Sequence, residues 1–175
     1  MGNNGYHSII TTVDNANNMR RELKFLEADN YSLSFRPSRG HDAELDLTED
    51  EIQNVSTHPG VYIIVSADKT KFVYPQGTSP VIYIGKADNL RRRLREHLNN
   101  LNYVIEHEEE DLMNQLQHCP RYNYMRAFGA HVYLFHCLKK TQDAKKLESI
   151  VIAKFYQKYR SIPVGNGARS FTPVK

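Results

Sequence analysis

Two tyrosine-bearing tripeptides, Gly60-Val61-Tyr62 and Tyr83-Ile84-Gly85, are followed by Arg93 and His97 and, much later, by Glu148. Side chains of these types could together hydrolyse a phosphodiester. That reaction needs an activated water, charge neutralisation on the phosphoryl oxygens and help for the leaving group. Arg93 offers a planar fork of donors suited to a phosphate. Glu148 offers a hard oxygen ligand for Mg2+ or Mn2+. One carboxylate is a sparse site, but Mg2+ keeps several waters and completes its shell with substrate phosphate. Tyr62 is a candidate general base or water-orienter, and Tyr83 a group that positions phosphate or water. A phenol is a poor base at its reference pKa of about 10, but Arg93, Lys86 or a metal nearby would favour the phenolate. His97, with a reference pKa of about 6.5, competes for the base role, and the residue types leave that choice open.

Taken singly, each residue has a plainer explanation. Strands favour aromatics, so a strand tyrosine is usually packing. An arginine in a basic helix usually lies on a solvated face. Glu148 is the least ordinary, because carboxylates in apolar helices are rare without a partner or a metal.

The elements that would position these groups can be read from the pattern. Gly60–Val65 and Val81–Gly85 are β-type runs joined by a polar loop holding Pro75, Gly77 and Pro80, which predicts an antiparallel pair. Asp88 is placed to cap a helix in which Leu90, Leu94 and Leu98 recur every four residues. Asn89, Arg93 and His97 share the neighbouring edge of that helix. Residues 102–118 read as a second helix with an acidic outer face, 131–138 as a third strand, and 142–159 as a helix apolar almost all round, to be buried against the sheet. Upstream, Asp14 can cap a helix to about Asp29, Tyr31–Phe35 alternates, and Thr48 with Glu51 forms a capping box. The expected fold is α+β: a small three-stranded antiparallel sheet flanked by helices, with a helical N-terminal extension over 1–55, either packed on the core or contacting DNA, and a nuclease-like domain over 56–175.

Gly60-Val-Tyr, then Tyr83-Ile-Gly, then Lys86-Ala-Asp-Asn89-Leu-Arg-Arg-Arg93 resembles the GIY-YIG nuclease superfamily, over roughly residues 58–166. The resemblance implies that Tyr62 and Tyr83 lie side by side on paired strands, that Arg93 is the catalytic arginine and that Glu148 is the metal ligand. His97 is similar to a histidine of the restriction-enzyme and some homing branches. Asn166 is aligned with an asparagine that usually follows the Glu-bearing helix, although the gap from Glu148 is long and leaves that assignment open. The long segment between the tyrosines implies an inserted loop at 67–79. The implied activity is single-metal endonucleolytic cleavage, with DNA as the expected substrate and 5′-phosphate and 3′-hydroxyl ends, in a standalone or restriction-type member. An RNA-processing nuclease and a non-catalytic nucleic-acid-binding module on the same fold are the alternatives.

Around the core motif, Lys86, Asn89, Arg91, Arg92, Arg95 and Asn166 are expected to contact nucleic acid. Arg121-Tyr-Asn-Tyr-Met-Arg126 interleaves aromatics with arginines and could touch backbone or stacked bases, or be an ordinary loop entering a strand. The acidic run Glu106–Asp111 is expected to face away from nucleic acid. Net charge is only +3 over 175 residues, so the case for nucleic acid rests on local clustering. Two cysteines without a Cys-x-x-Cys pair argue against a disulfide framework and a zinc ribbon. No basic-then-apolar leader and no spanning apolar run are visible, so a cytoplasmic, membrane-free protein is expected.

Overall fold

The computed structural model describes residues 44–107, 120–136 and 141–167. In chain order these form β1 (Glu44–Asp46), α1 (Glu49–Ile52), β2 (Gly60–Val65), β3 (Phe72–Tyr74), β4 (Gly77–Ser79), β5 (Val81–Ala87), α2 (Leu90–Glu106), α3 (Pro120–Phe128), β6 (His131–His136) and α4 (Thr141–Tyr159). The expected helix at 14–29 and alternating stretch at 31–35 lie outside the described residues, as do residues 108–118 of the expected second helix. No described helix is long and apolar enough to cross a membrane.

β2 is the centre of the architecture. Every residue of Gly60–Val65 is buried, as expected of an apolar strand covered on both faces. It pairs antiparallel with β5 on one side and with β6 on the other. The α+β class expected from the sequence is present, but the sheet has four strands, in the order β1-β6-β2-β5, rather than three. The fourth, β1, pairs with β6 through Glu44, Leu45 and Asp46, inside the stretch expected as an extension. Leu45, Leu47, Ile52 and Val55 join the same hydrophobic cluster as Tyr62, Leu90 and Leu134, so residues 44–55 are part of this core. The Thr48 cap forms: its hydroxyl accepts from Glu51 N–H at 3.4 Å. Glu51, however, accepts from Asp46 N–H at 2.6 Å and ties the helix start to β1.

Three further departures have simple causes. The helix carrying Leu90, Leu94 and Leu98, expected to be separate from one over 102–118, runs unbroken to Glu106, because Leu101 and Val104 continue the buried stripe of Leu90 and Leu94. The inserted loop at 67–79 contains a hairpin, β3–β4, turning at Pro75-Gln76 with Gly77 at φ +113°. Tyr74 anchors it against Phe155 and Tyr159, and its hydroxyl donates to Val81 C=O at 3.2 Å. Residues 121–126, left open as a loop, belong to helix α3, with Tyr122 and Met125 buried.

The closing turn after α4 grips the outer edge of β5. Gly165 N–H donates to Ile82 C=O at 2.7 Å. The Asn166 side chain accepts from Ile84 N–H at 2.9 Å and donates to Ile84 C=O at 2.8 Å. Asn166 is 7% exposed, so its amide is occupied with the strand next to Tyr83 rather than open to a nucleic-acid strand. Asn166→Ala should therefore cost about 3 kcal/mol of unfolding free energy, because both polar groups of Ile84 lose their partner in a buried setting. A urea-denaturation loss under about 1 kcal/mol would contradict that role for the amide.

Candidate active site

Register brings the two tyrosines together. Tyr62 stands opposite Gly85, and Tyr83 opposite Ile64, so all four residues face the same side of the sheet. The Tyr62 and Tyr83 rings lie with centroids 5.9 Å apart. Gly85 makes the room: a Cβ there would meet Tyr83 Cε1 at 2.5 Å and Tyr62 Oη at 2.6 Å. Any larger residue would have to push both rings out of place.

Helix α2 crosses this face and delivers Arg93 and His97 one turn apart. Asn89 caps the helix, its side chain accepting from Arg92 N–H at 2.9 Å. The cap is thus Asn89 rather than the expected Asp88, and the Asn89 oxygen expected to contact nucleic acid holds the helix start instead. Arg93 Nε donates to Tyr62 Oη at 3.2 Å, while its Nη1 donates to Glu96 at 2.9 Å. His97 Nε2 lies 2.8 Å from Tyr62 Oη, and His97 Nδ1 lies 3.1 Å from Tyr122 Oη. Asn100 Nδ2 donates to Tyr122 Oη at 3.0 Å and ends the chain. Asn100 was not among the residues singled out from sequence, though it had a faint signal, three residues after His97 on the same helix edge. Tyr122 lay in the Arg121–Arg126 stretch, where the sequence suggested contact with backbone or bases rather than a partner for His97.

Burial decides the protonation of this chain. His97 is fully enclosed (0% exposed), and burial, with the charges of Arg93 and Arg121, lowers its pKa to about 3. It is therefore neutral at pH 7, with each ring nitrogen against a phenol. Burial first, and the neighbouring Tyr83 next, push the Tyr62 phenol above its usual range, only partly offset by Arg93. At rest the pair is a neutral phenol and a neutral imidazole. A folded pKa below the unfolded value means the unfolded chain takes up the proton first. The stability contributed by neutral His97 is therefore complete above about pH 6.5 and is lost as pH falls towards about 3. Thermal unfolding of wild type and His97→Gln across that window should show the wild type losing on the order of 4 kcal/mol more. Parallel pH profiles would contradict a buried neutral histidine.

Glu148 enters from α4. It is half-buried and accepts from the backbone N–H of Lys86 on β5. Burial raises its pKa, while the charges of Lys86, Arg93 and Lys145 pull the other way. Among the described residues no three His, Cys, Asp or Glu side chains gather to cage a metal. The donor set at Glu148 is thus a single carboxylate, which fits a cation that retains most of its waters and takes the rest of its shell from substrate.

The surrounding basic residues divide sharply. Arg91 Nε donates to Val55 C=O at 2.7 Å, and Arg95 binds Glu49 at 2.7 Å. Both expected nucleic-acid contacts fasten α2 to the α1 region. Arg92, with a side chain 72% exposed against 35% for Arg93, reaches solvent beyond Glu96. The structure thus brings together Tyr62, Tyr83, Arg93 and His97, with Glu148 at Lys86 beside them. It employs Asn89, Arg91, Arg95 and Asn166 in holding the frame.

Residues 58–160 match the family model described as the GIY-YIG catalytic domain. The chain belongs to the GIY-YIG family and carries its endonuclease domain. It is similar to UvrABC system protein C of Aquifex aeolicus, 32% identical over 108 residues, which take in 50% of this chain and 17% of that protein. The same protein of Geobacter sp. is 31% identical over 99 residues, 44% of this chain and 14% of the relative. The chain therefore spans only a small fraction of the length of these relatives. Among solved structures it is similar to the GIY-YIG N-terminal endonuclease domain of UvrC from Thermotoga maritima, bound to its catalytic magnesium. That match has 25% identity and a TM-score of 0.34, and covers 67% of this chain and 93% of the other.

Proposed function

We propose that this protein is a metal-dependent endonuclease that hydrolyses phosphodiester bonds in DNA, leaving 5′-phosphate and 3′-hydroxyl ends. One observation carries the reading: the Tyr62 hydroxyl is held between Arg93 Nε at 3.2 Å and His97 Nε2 at 2.8 Å. A phenol used only for packing has no need of two such partners, one of them a cation.

Tyr62 is the group that meets the attacking water. As the water attacks phosphorus, its proton passes to Tyr62 Oη, and the phenol proton passes to His97 Nε2. His97 is a sink behind Tyr62 rather than a base in contact with water, because its Nε2 faces the Tyr62 hydroxyl and its Nδ1 faces that of Tyr122. The charges of Arg93 and Arg121 contribute to its low basicity, and an incoming phosphate offsets them. Arg93 donates to a phosphoryl oxygen while keeping Tyr62 in line. Tyr83 orients water or phosphate from the next strand, and Lys86 and Arg92 contact the backbone. Glu148 would hold Mg2+ or Mn2+, which when bound supplies charge neutralisation at the phosphoryl group and the leaving oxygen.

The test is incubation of the purified chain with supercoiled plasmid, single-stranded DNA, branched DNA and RNA, each with Mg2+, Mn2+ or EDTA. Metal-dependent nicking of DNA supports the reading. Binding without cutting in any metal makes the protein a binding module, and cutting confined to RNA makes it an RNA-processing enzyme.

A further inference from the structure

The mechanism above leaves one cation at the site without an assigned task. Arg121, the second residue of α3, lies with its guanidinium carbon 4.2 Å from the Tyr83 ring centroid and 5.9 Å from that of Tyr122. Its neighbours on α2 all have partners: Arg91 on Val55, Arg92 and Arg93 on Glu96, Arg95 on Glu49. Among the described residues Arg121 has no hydrogen-bond or ion-pair partner, and its Nε is buried without one. That Nε gives up solvation without a hydrogen bond in return, which is costly. Arg121 is also held in place. A Cβ on Gly165 would meet Arg121 Cβ at 2.9 Å, so the closing turn confines the base of the side chain while Tyr83 supports the guanidinium plane. Its charge acts on both Tyr62 and His97, which puts it within electrostatic reach of the reacting groups.

We propose that Arg121 is a second phosphate-binding residue of the active site, gripping a non-bridging oxygen of the scissile phosphate from the Tyr83 side. This rests on the nuclease reading above. With Arg93 beside Tyr62 and Arg121 stacked on Tyr83, each tyrosine carries its own guanidinium, and the phosphate sits between two forks of donors. Stacking on a ring face keeps the fork planar and pre-oriented, which a lysine cannot reproduce. The ligand class is a phosphodiester.

The experiment uses the full chain, with Arg121→Met to keep apolar cover on Tyr83 and Arg121→Lys to keep charge without the fork. Binding of a fluorescein-labelled duplex is measured in EDTA against salt, and single-turnover cleavage in the active metal. Arg121→Met should lower the salt slope by about one, the loss of one phosphate contact. It should also slow cleavage about 100-fold, as for removal of one transition-state donor. Arg121→Lys should keep the slope and still cleave about tenfold slower, for want of the bidentate fork. An unchanged slope in Arg121→Met, or a rate within about threefold of wild type, overturns the proposal. Should Arg121→Met fail to fold, a wild-type rate in Arg121→Lys overturns it instead. A wild type that cuts nothing sinks the nuclease reading, while the salt slope still decides whether Arg121 holds a phosphate.

Discussion

Glu148→Gln should reduce cleavage by about three orders of magnitude or more, the several kcal/mol that a correctly held metal contributes at a phosphoryl group. The loss should be almost wholly in chemistry. Glutamine has nearly the shape of glutamate, and its amide carbonyl can still accept from Lys86 N–H, so α4 stays docked on β5. What disappears is the negative charge and the hard oxygen pair. Affinity for duplex DNA in EDTA should stay within about threefold of wild type, because the phosphate-facing cations are untouched. Raising the Mg2+ concentration should not restore the rate. Single-turnover cleavage by the variant within about tenfold of wild type would mean that the carboxylate is not the metal ligand and serves only to receive Lys86 N–H.

Tyr62→Phe should lower the single-turnover rate by about two orders of magnitude or more, the contribution of a positioned general base. The substitution removes one atom and with it both contacts to Arg93 and His97. Stability will also fall, by about 1–3 kcal/mol, since a buried imidazole nitrogen loses its partner. Rates must therefore be compared below the unfolding midpoint of both proteins. The relay makes a second demand. His97→Ala should also be slow, but the wild-type rate should show no inflection near pH 6.5, since burial has moved the His97 titration to about 3. A rate that titrates near 6.5 and vanishes in His97→Ala, with Tyr62→Phe nearly unaffected, would make the histidine the base and the phenol a bystander.

The parts of this fold that declare themselves in sequence are those whose local pattern agrees with their surroundings. β2 and β5 are dense in β-branched and aromatic residues and bounded by turn formers. α2 keeps its leucines on one edge, and α4 is apolar enough to require a sheet. The Arg93–His97 spacing was legible for the same reason, since the helix period alone puts them on a common face, whereas the tyrosine pair was implied by the family resemblance. β1 was not. Three residues make no pattern, and it is a strand only because β6, far away in sequence, offers an edge. α3 could have been found from Pro120, well suited to a first helical position, and from Tyr122 and Met125 three apart. Its aromatics and arginines looked instead like a binding loop. The roles of Arg91, Arg95 and Asn166 were illegible because each depends on a partner from another element, and a charged or amide side chain reads the same whether it faces water, phosphate or a backbone carbonyl.

β5 is the outermost strand of the main sheet on the catalytic side. Its outward hydrogen-bonding groups fall on alternate residues, and the chain fills them in turn: Gly165 takes Ile82 C=O, Asn166 takes both groups of Ile84, and Glu148 takes Lys86 N–H. An exposed strand edge is an invitation to β-augmentation by any extended segment, from a peptide to a second molecule aggregating edge to edge. Here that invitation is withdrawn, and one of the groups withdrawing it is the catalytic carboxylate candidate itself. The arrangement protects the molecule from self-association along the strand that carries Tyr83.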